Sequence, residues 1–129
     1  MAQLIPINAF AAEDPICFQP SPLIKLCSDG KIIVYVYKQE MGQGVQTSLP
    51  LIVAEELEAD PKQVIAEALP YTTGNGYNYS TGGSTSVLRE FTPLRKAGAA
   101  AREMLIKAAA NEWGISVDNC KAQKSRVIN

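Results

Sequence analysis

Histidine is absent from all 129 residues of the sequence. That one absence removes Ser-His and Cys-His nucleophile pairs, the usual zinc ligand and the commonest general base together, so self-sufficient hydrolysis is not expected. Cysteine is scarce. Cys17, Cys27 and Cys120 form an odd, widely spaced set with no Cys-x-x-Cys, which indicates neither a disulfide framework nor a zinc site and leaves them as small core or surface thiols. An excess of either charge is also missing, with 12 basic against 13 acidic residues, so no field draws the chain to nucleic acid or to an anionic membrane. No apolar run approaches the roughly 20 residues of a membrane helix, because Leu49 to Leu57 is cut by Pro50, Glu55 and Glu56. Met1 to Ala12 has no basic segment, no Arg-Arg pair and too short an apolar stretch for a secretory signal. A cytoplasmic chain is expected, with no nucleic-acid and no membrane partner.

The length fits one domain that can bury a core without staples. Residues 1–22 mix Pro6, Pro15, Pro20 and Pro22 with small apolar residues and show no periodicity, which predicts an extended leader without regular structure. From Leu23 to Tyr37 two runs rich in Ile, Val and Tyr flank Ser28-Asp29-Gly30, and because Gly30 accepts positive φ at no steric cost the pattern predicts a β-hairpin. A helix follows Gly44, with Leu49, Ile52, Val53 and Leu57 at three- and four-residue spacing. Thr47 suits its N-cap and Pro50 its first turn, where N–H groups lack partners anyway. Asp60-Pro61 stops it, and Val64 to Leu69 alternates as a third strand.

Tyr71 to Ser84, made of Gly, Asn, Ser, Thr and Tyr, is expected to be a loop too polar and flexible for core. Thr92-Pro93 then supplies an N-cap and first position for an alanine-rich helix that ends at Trp113, with Gly114 as C-cap. Its face of Ala97, Gly98, Ala101, Leu105 and Ala108 is small enough to pack unusually close to a neighbour. Arg126 to Ile128 reads as a short closing strand. The order β-β-α-β-α with a closing β predicts an α/β (α+β) fold: a small sheet with a hairpin, and two helices packed on one face.

Two segments carry residue types suited to a ligand. Glu40 to Thr47 places Gly42-Gln43-Gly44 between a strand and a helix, and Thr81 to Ser86 reads Thr-Gly-Gly-Ser-Thr-Ser. Glycines let a ligand touch the backbone, and consecutive N–H groups at a helix start cradle phosphate or another electron-rich oxygen. Gln43 adds two donors and an acceptor. By spacing alone the first loop reads more readily as a tight turn, and the second reads as well as a flexible linker. Neither matches a phosphate-binding P-loop or the spaced glycines of a dinucleotide fold.

The unbroken run Glu40-Met41-Gly42-Gln43-Gly44-Val45-Gln46-Thr47 resembles the Glu-Met-Gly-Gln-Gly-x-x-Thr signature of the xanthine dehydrogenase and aldehyde oxidase family. The sequence of hairpin, signature, Ala54-Glu55-Glu56-Leu57, Thr81-Gly82-Gly83-Ser84-Thr85-Ser86 and Leu94 to Arg102 is similar, more narrowly, to the start of isoquinoline 1-oxidoreductase β subunits, over about Phe18 to Cys120. Beside the leader read over 1–22, the resemblance implies a partial molybdopterin-binding domain over 23–129. It implies that Gly42, Gln43, Gly44, Thr47, Gly82, Gly83, Ser84, Thr85 and Ser86 close around a molybdenum-molybdopterin cytosine dinucleotide. In such enzymes the cofactor's dithiolene holds the metal, so no protein metal ligand is expected here and the protein supplies binding and orientation. The catalytic glutamate of the family lies far beyond this segment, so no catalytic residue is assigned and Glu40 is not promoted to that role. The implied partners are the remainder of the molybdopterin-binding subunit and an iron-sulfur subunit, and the segment alone is expected to be inactive. The alternative is a non-catalytic truncated binding or assembly module that retains the fold.

Overall fold

The computed structural model describes residues 14–129; of the expected leader, residues 1–13 lie outside them. Strands β1 (Cys17–Ser21), β2 (Ile24–Cys27) and β3 (Ile32–Val36) run antiparallel, and β4 (Val64–Ala68) joins β3 in parallel, giving a four-stranded sheet in chain order. Helix α1 (Val45–Leu57) forms the β3–β4 crossover and α2 (Ser86–Trp113) packs along it. A separate hairpin of β5 (Lys121–Gln123) and β6 (Arg126–Ile128) closes the chain. The mixed α and β class therefore holds, with two strands more than expected. β1 lies inside the segment expected to have no regular structure, because the pairing that orders it comes from β2 rather than from its own sequence.

The same pairing overturns the reading of the cysteines as separate thiols. Cys17 and Cys27 sit opposite each other in the β1–β2 register, their Cα atoms 4.1 Å apart, and form a disulfide. Cys120 is free. The hairpin between β2 and β3 turns at Asp29-Gly30, with Gly30 at φ 86° and the Asp29 carboxylate accepting from the Lys31 N–H and pairing with its ammonium.

Alternation along β3 buries Ile32, Val34 and Val36, which meet Ile24 of β2 and Val45, Leu49, Val53 and Leu57 of α1 in one core. Both helices start earlier than expected. α1 begins at Val45 with Gly44 as its cap, so Thr47 lies inside the first turn and Pro50 inside the second. α2 begins at Ser86 with Thr85 as its cap, so Pro93 is internal to it. Pro93 and Arg89, whose carbonyl loses its helical donor to the proline, are both exposed, and a carbonyl that water can reach tolerates the missing N–H.

α1 ends at Leu57, ahead of Asp60-Pro61, through a left-handed Glu58 that bonds to Glu55 O while Ala59 bonds to Ala54 O. α2 ends the same way at Gly114. The close helix–helix contact is at Gly98, where an added Cβ would stand 3.0 Å from Val53 O and 3.0 Å from Glu56 Cβ. Ala101 shares the buried face, but Leu105 and Ala108 are exposed and their expected places are taken by Leu94, Ile106 and Ala110, a shift of the small face around the helix. Across the seam Arg95 pairs with Glu56, and Arg102 Nη1 donates to Glu56 O at 2.9 Å.

Candidate functional site

Because β3 and β4 are parallel, the segments after them leave the same edge of the sheet, the edge at which open α/β sheets receive ligands. One segment is Tyr37 to Gly44, leading into α1; the other runs from Leu69 to Thr85, leading into α2. They meet in a cleft of about 360 Å³ lined by Met41, Gln43, Val45 and Ser48 on one side and Thr81, Gly82, Gly83, Ser84, Ser86 and Val87 on the other. Of the residues singled out in the sequence, Gln43, Gly82, Gly83, Ser84 and Ser86 line it together. Gly42, Gly44, Thr47 and Thr85 do not, although the first two form the turn that carries Gln43.

The two sides differ in chemistry. In the first loop three N–H groups are satisfied by one side chain: the Glu40 carboxylate accepts from Gly42 N (2.8 Å), Gly44 N (3.0 Å) and Gln46 N (3.0 Å). The Gln46 N–H, then that of Gly44, hold this carboxyl below the usual carboxylate range. Glu40 is thus the anion at the start of α1, in place of a capping Thr47. Gln43 is tied as well, its Oε1 accepting from Met41 N at 2.5 Å and its Nε2 donating to Gln39 O at 2.7 Å. One amide N–H of Gln43 is left over.

On the second side nothing fills the equivalent place. Thr85 makes no side-chain cap and the first turn of α2 holds no acidic residue. Among the described residues no acceptor takes the N–H groups of Gly82, Gly83, Ser84, Thr85 or Ser86. Gly83 and Ser84 both have positive φ, 65° and 55°, and form a tight turn, the class of backbone from which anion-binding nests are built. Among the described residues no cluster suited to a metal ion is found, and no carboxylate lines the cleft. A donor-rich, acid-free wall fits an anionic, oxygen-rich ligand. At about 360 Å³, near the lower end of the range of about 300–1,000 Å³ for ligand pockets, the cleft accommodates part of a dinucleotide rather than all of it.

Beneath this wall lies a group of residues that the sequence reading missed. The loop expected to stay out of the core packs Tyr77 and Tyr79 against Tyr37, with ring centroids 4.7 and 5.9 Å away, and Tyr71 against Tyr79 at 5.0 Å. Burial, ahead of the nearby buried Glu90 carboxyl, pushes the Tyr37 phenol well up. Lys38 is only 4% exposed and donates to the carbonyls of Asn78 and Ser80, while Gln39 N donates to Thr81 Oγ1 at 2.9 Å. Nothing at the level of residue type marks Lys38; only the repeated tyrosines of the loop hinted at packing.

Residues 8–129 match a family described as a molybdopterin cofactor-binding domain. The chain is 34% identical over 116 residues to isoquinoline 1-oxidoreductase subunit beta of Brevundimonas diminuta, a match covering 85% of this chain and 15% of that protein. It is 33% identical over 125 residues to a membrane-bound aldehyde dehydrogenase (pyrroloquinoline-quinone) of Gluconacetobacter polyoxogenes, covering 97% and 16%. Among solved structures, quinoline 2-oxidoreductase from Pseudomonas putida 86 shares the fold, with a TM-score of 0.58 and 22% identity over 83% of this chain and 13% of its own. The chain thus spans 16% or less of the length of these curated relatives.

Proposed function

The chain belongs to the molybdopterin cofactor-binding domain family, and from that premise we propose that it forms one wall of the cofactor pocket of a molybdenum hydroxylase acting on aldehydes or N-heterocycles. The observation that carries this reading is the meeting of both glycine loops on one cleft, whose wall includes Gly82, Gly83, Ser84 and Ser86 with their N–H groups unpartnered among the described residues. These groups, with the dipole of a 28-residue helix behind them, suit the phosphates of molybdopterin cytosine dinucleotide. The Gly42-Gln43-Gly44 turn faces them as a preformed wall, already ordered by Glu40, with the remaining Gln43 N–H available to the ligand. Thr85 Oγ1 donates to Gly82 O at 3.3 Å and so braces the turn before α2, while Thr47 lies within the first turn of α1. The bound molybdenum centre supplies the oxidative hydroxylation, with water as oxygen source. The residues of this chain bind and orient the cofactor.

Further partners belong to the same proposal: the remainder of the molybdopterin-binding subunit and an iron-sulfur protein to carry electrons. Val87, Leu88 and Phe91, all exposed at the start of α2 beside the cleft, are the surface suited to cover by further polypeptide. Among the described residues no helix is long and apolar enough to cross a membrane. The expected cytoplasmic location meets a counter-observation in Cys17–Cys27, since disulfides persist mainly in oxidising compartments.

The test is co-expression of the full chain in a host that makes the cofactor, followed by elemental analysis for molybdenum and identification of the released nucleotide. Gly83→Val, which puts a branched side chain at a positive φ on the wall, and Gln43→Ala should each lower molybdenum retention while the circular dichroism spectrum is kept. Full retention in both variants would falsify the cleft as the site and favour the assembly module. Recovery of a quinone in place of a pterin would move the reading to the cofactor named for the Gluconacetobacter relative.

A further inference from the structure

Lys38 stands out among the buried groups. An ammonium is seldom taken out of water unless a carboxylate accompanies it, yet among the described residues the ion pairs are those of Lys31, Arg95 and Arg102, and none involves Lys38. Its charge is met instead by the Asn78 and Ser80 carbonyls and by the face of the Tyr37 ring, 5.1 Å from Nζ to the centroid. Both carbonyls are about forty residues away in sequence and belong to a loop with few other ties. The Asn75 and Asn78 side chains bond within that loop. Beyond the tyrosine packing and the Leu69 N–H to Val36 O bond where the loop begins, the hydrogen bonds joining it to the β3 end among the described residues are those of Lys38 and of Gln39 N to Thr81 Oγ1.

We propose that Lys38 is a positioning residue of the cleft: its buried ammonium fixes the backbone at Asn78 to Ser80 and thereby sets where Thr81 to Ser86 present their N–H groups. The role rests on the cofactor reading above. The geometry makes the dependence direct, because Ser80 precedes Thr81 and Thr81 is the first residue of the wall on that side. A flexible glycine-serine segment holds donors in register only if one end is anchored, and a bond to a charged donor is a stronger anchor than a neutral one. Lys38 leads through Gln39 into the Glu40 to Gly44 turn, so the same short stretch holds both sides of the cleft.

The experiment uses the full chain as wild type, Lys38→Met and Lys38→Arg. Three quantities are read: amide hydrogen exchange across Asn78 to Ser86, the affinity for molybdopterin cytosine dinucleotide by calorimetric titration, and the melting temperature. Methionine fills the stem's volume without the charge, so a melting temperature close to wild type is expected, with faster exchange in that loop and binding weakened about tenfold or more. Arginine keeps the cationic donors and should recover loop protection and most of the affinity. Two outcomes overturn the proposal: wild-type affinity or wild-type loop exchange in Lys38→Met, or losses in Met and Arg alike that simply track melting temperature. If Lys38→Met does not fold, Lys38→Gln is measured in the same way. A wild-type chain with no affinity for the dinucleotide removes the cofactor reading and the positioning role with it. A binding wild type with unchanged variants removes the positioning role alone.

Discussion

Replacing Gly98 by alanine tests the seam that holds α1 and α2 together. The new methyl would stand 3.0 Å from Val53 O and 3.0 Å from Glu56 Cβ, whereas non-bonded carbons settle at about 3.5–4.0 Å. The Val53 oxygen is backbone inside α1 and cannot swing aside as a side-chain end would, so the helices must part by several tenths of an ångström. Overpacking of this kind costs about 1–3 kcal/mol, and the gain in helix propensity from Gly to Ala returns about 1 kcal/mol. The expected net is a loss of about 1 kcal/mol for Gly98→Ala, and about 3 kcal/mol for Gly98→Val, whose branched side chain adds volume and loses the propensity gain. For a chain of 129 residues the alanine variant should melt about 2–6 °C lower. Urea denaturation with an unchanged m value would isolate the stability effect. An alanine variant as stable as wild type or more so would refute the argument, since propensity would then be acting without a steric counterweight.

Glu40 should make the first loop sensitive to acid. Its folded pKa is lowered from 4.5, so its contribution is present above that value and is lost as pH falls through the folded value; wild type should lose more stability than Glu40→Gln on going from pH 5 to pH 3, and parallel denaturation curves would contradict this. Among the three cysteines, native thiol titration without reductant should count one, Cys120. The Cys17→Ser, Cys27→Ser double variant should be less stable by roughly 2–3 kcal/mol, the value for a loop of this length, with three titratable thiols in native wild type as the contrary result.

What could be read in advance was what depends on neighbours in sequence. Asp29-Gly30 encodes its own turn, and Gly114 its own helix end, because each needs only a left-handed residue at one place. Helix starts were harder. α1 is capped by Glu40 from outside the helix, so the nearest hydroxyl, Thr47, was a misleading signal, and α2 starts at a residue with no side-chain cap at all. The glycine loops were visible as composition, but their meeting follows from the parallel β3–β4 pairing, which no local pattern states. The Cys17–Cys27 register and the burial of Lys38 are likewise tertiary facts.

The β5–β6 turn shows such dependence at the scale of two residues. Its central residues, Lys124 and Ser125, both have positive φ, 49° and 61°, a geometry that Asn-Gly adopts readily and Lys-Ser does not. The three-residue strands could not hold that turn alone. Ser125 N donates to Glu58 O at 2.8 Å and Ser125 Oγ accepts from Asp60 N at 2.7 Å, so the hairpin is clasped by the chain reversal just after α1. The hairpin's geometry therefore depends on α1 and its reversal being in place. Asn-Gly at these two positions would hold the turn from its own backbone preference while removing the hydroxyl that moors it, exchanging a borrowed geometry for a local one.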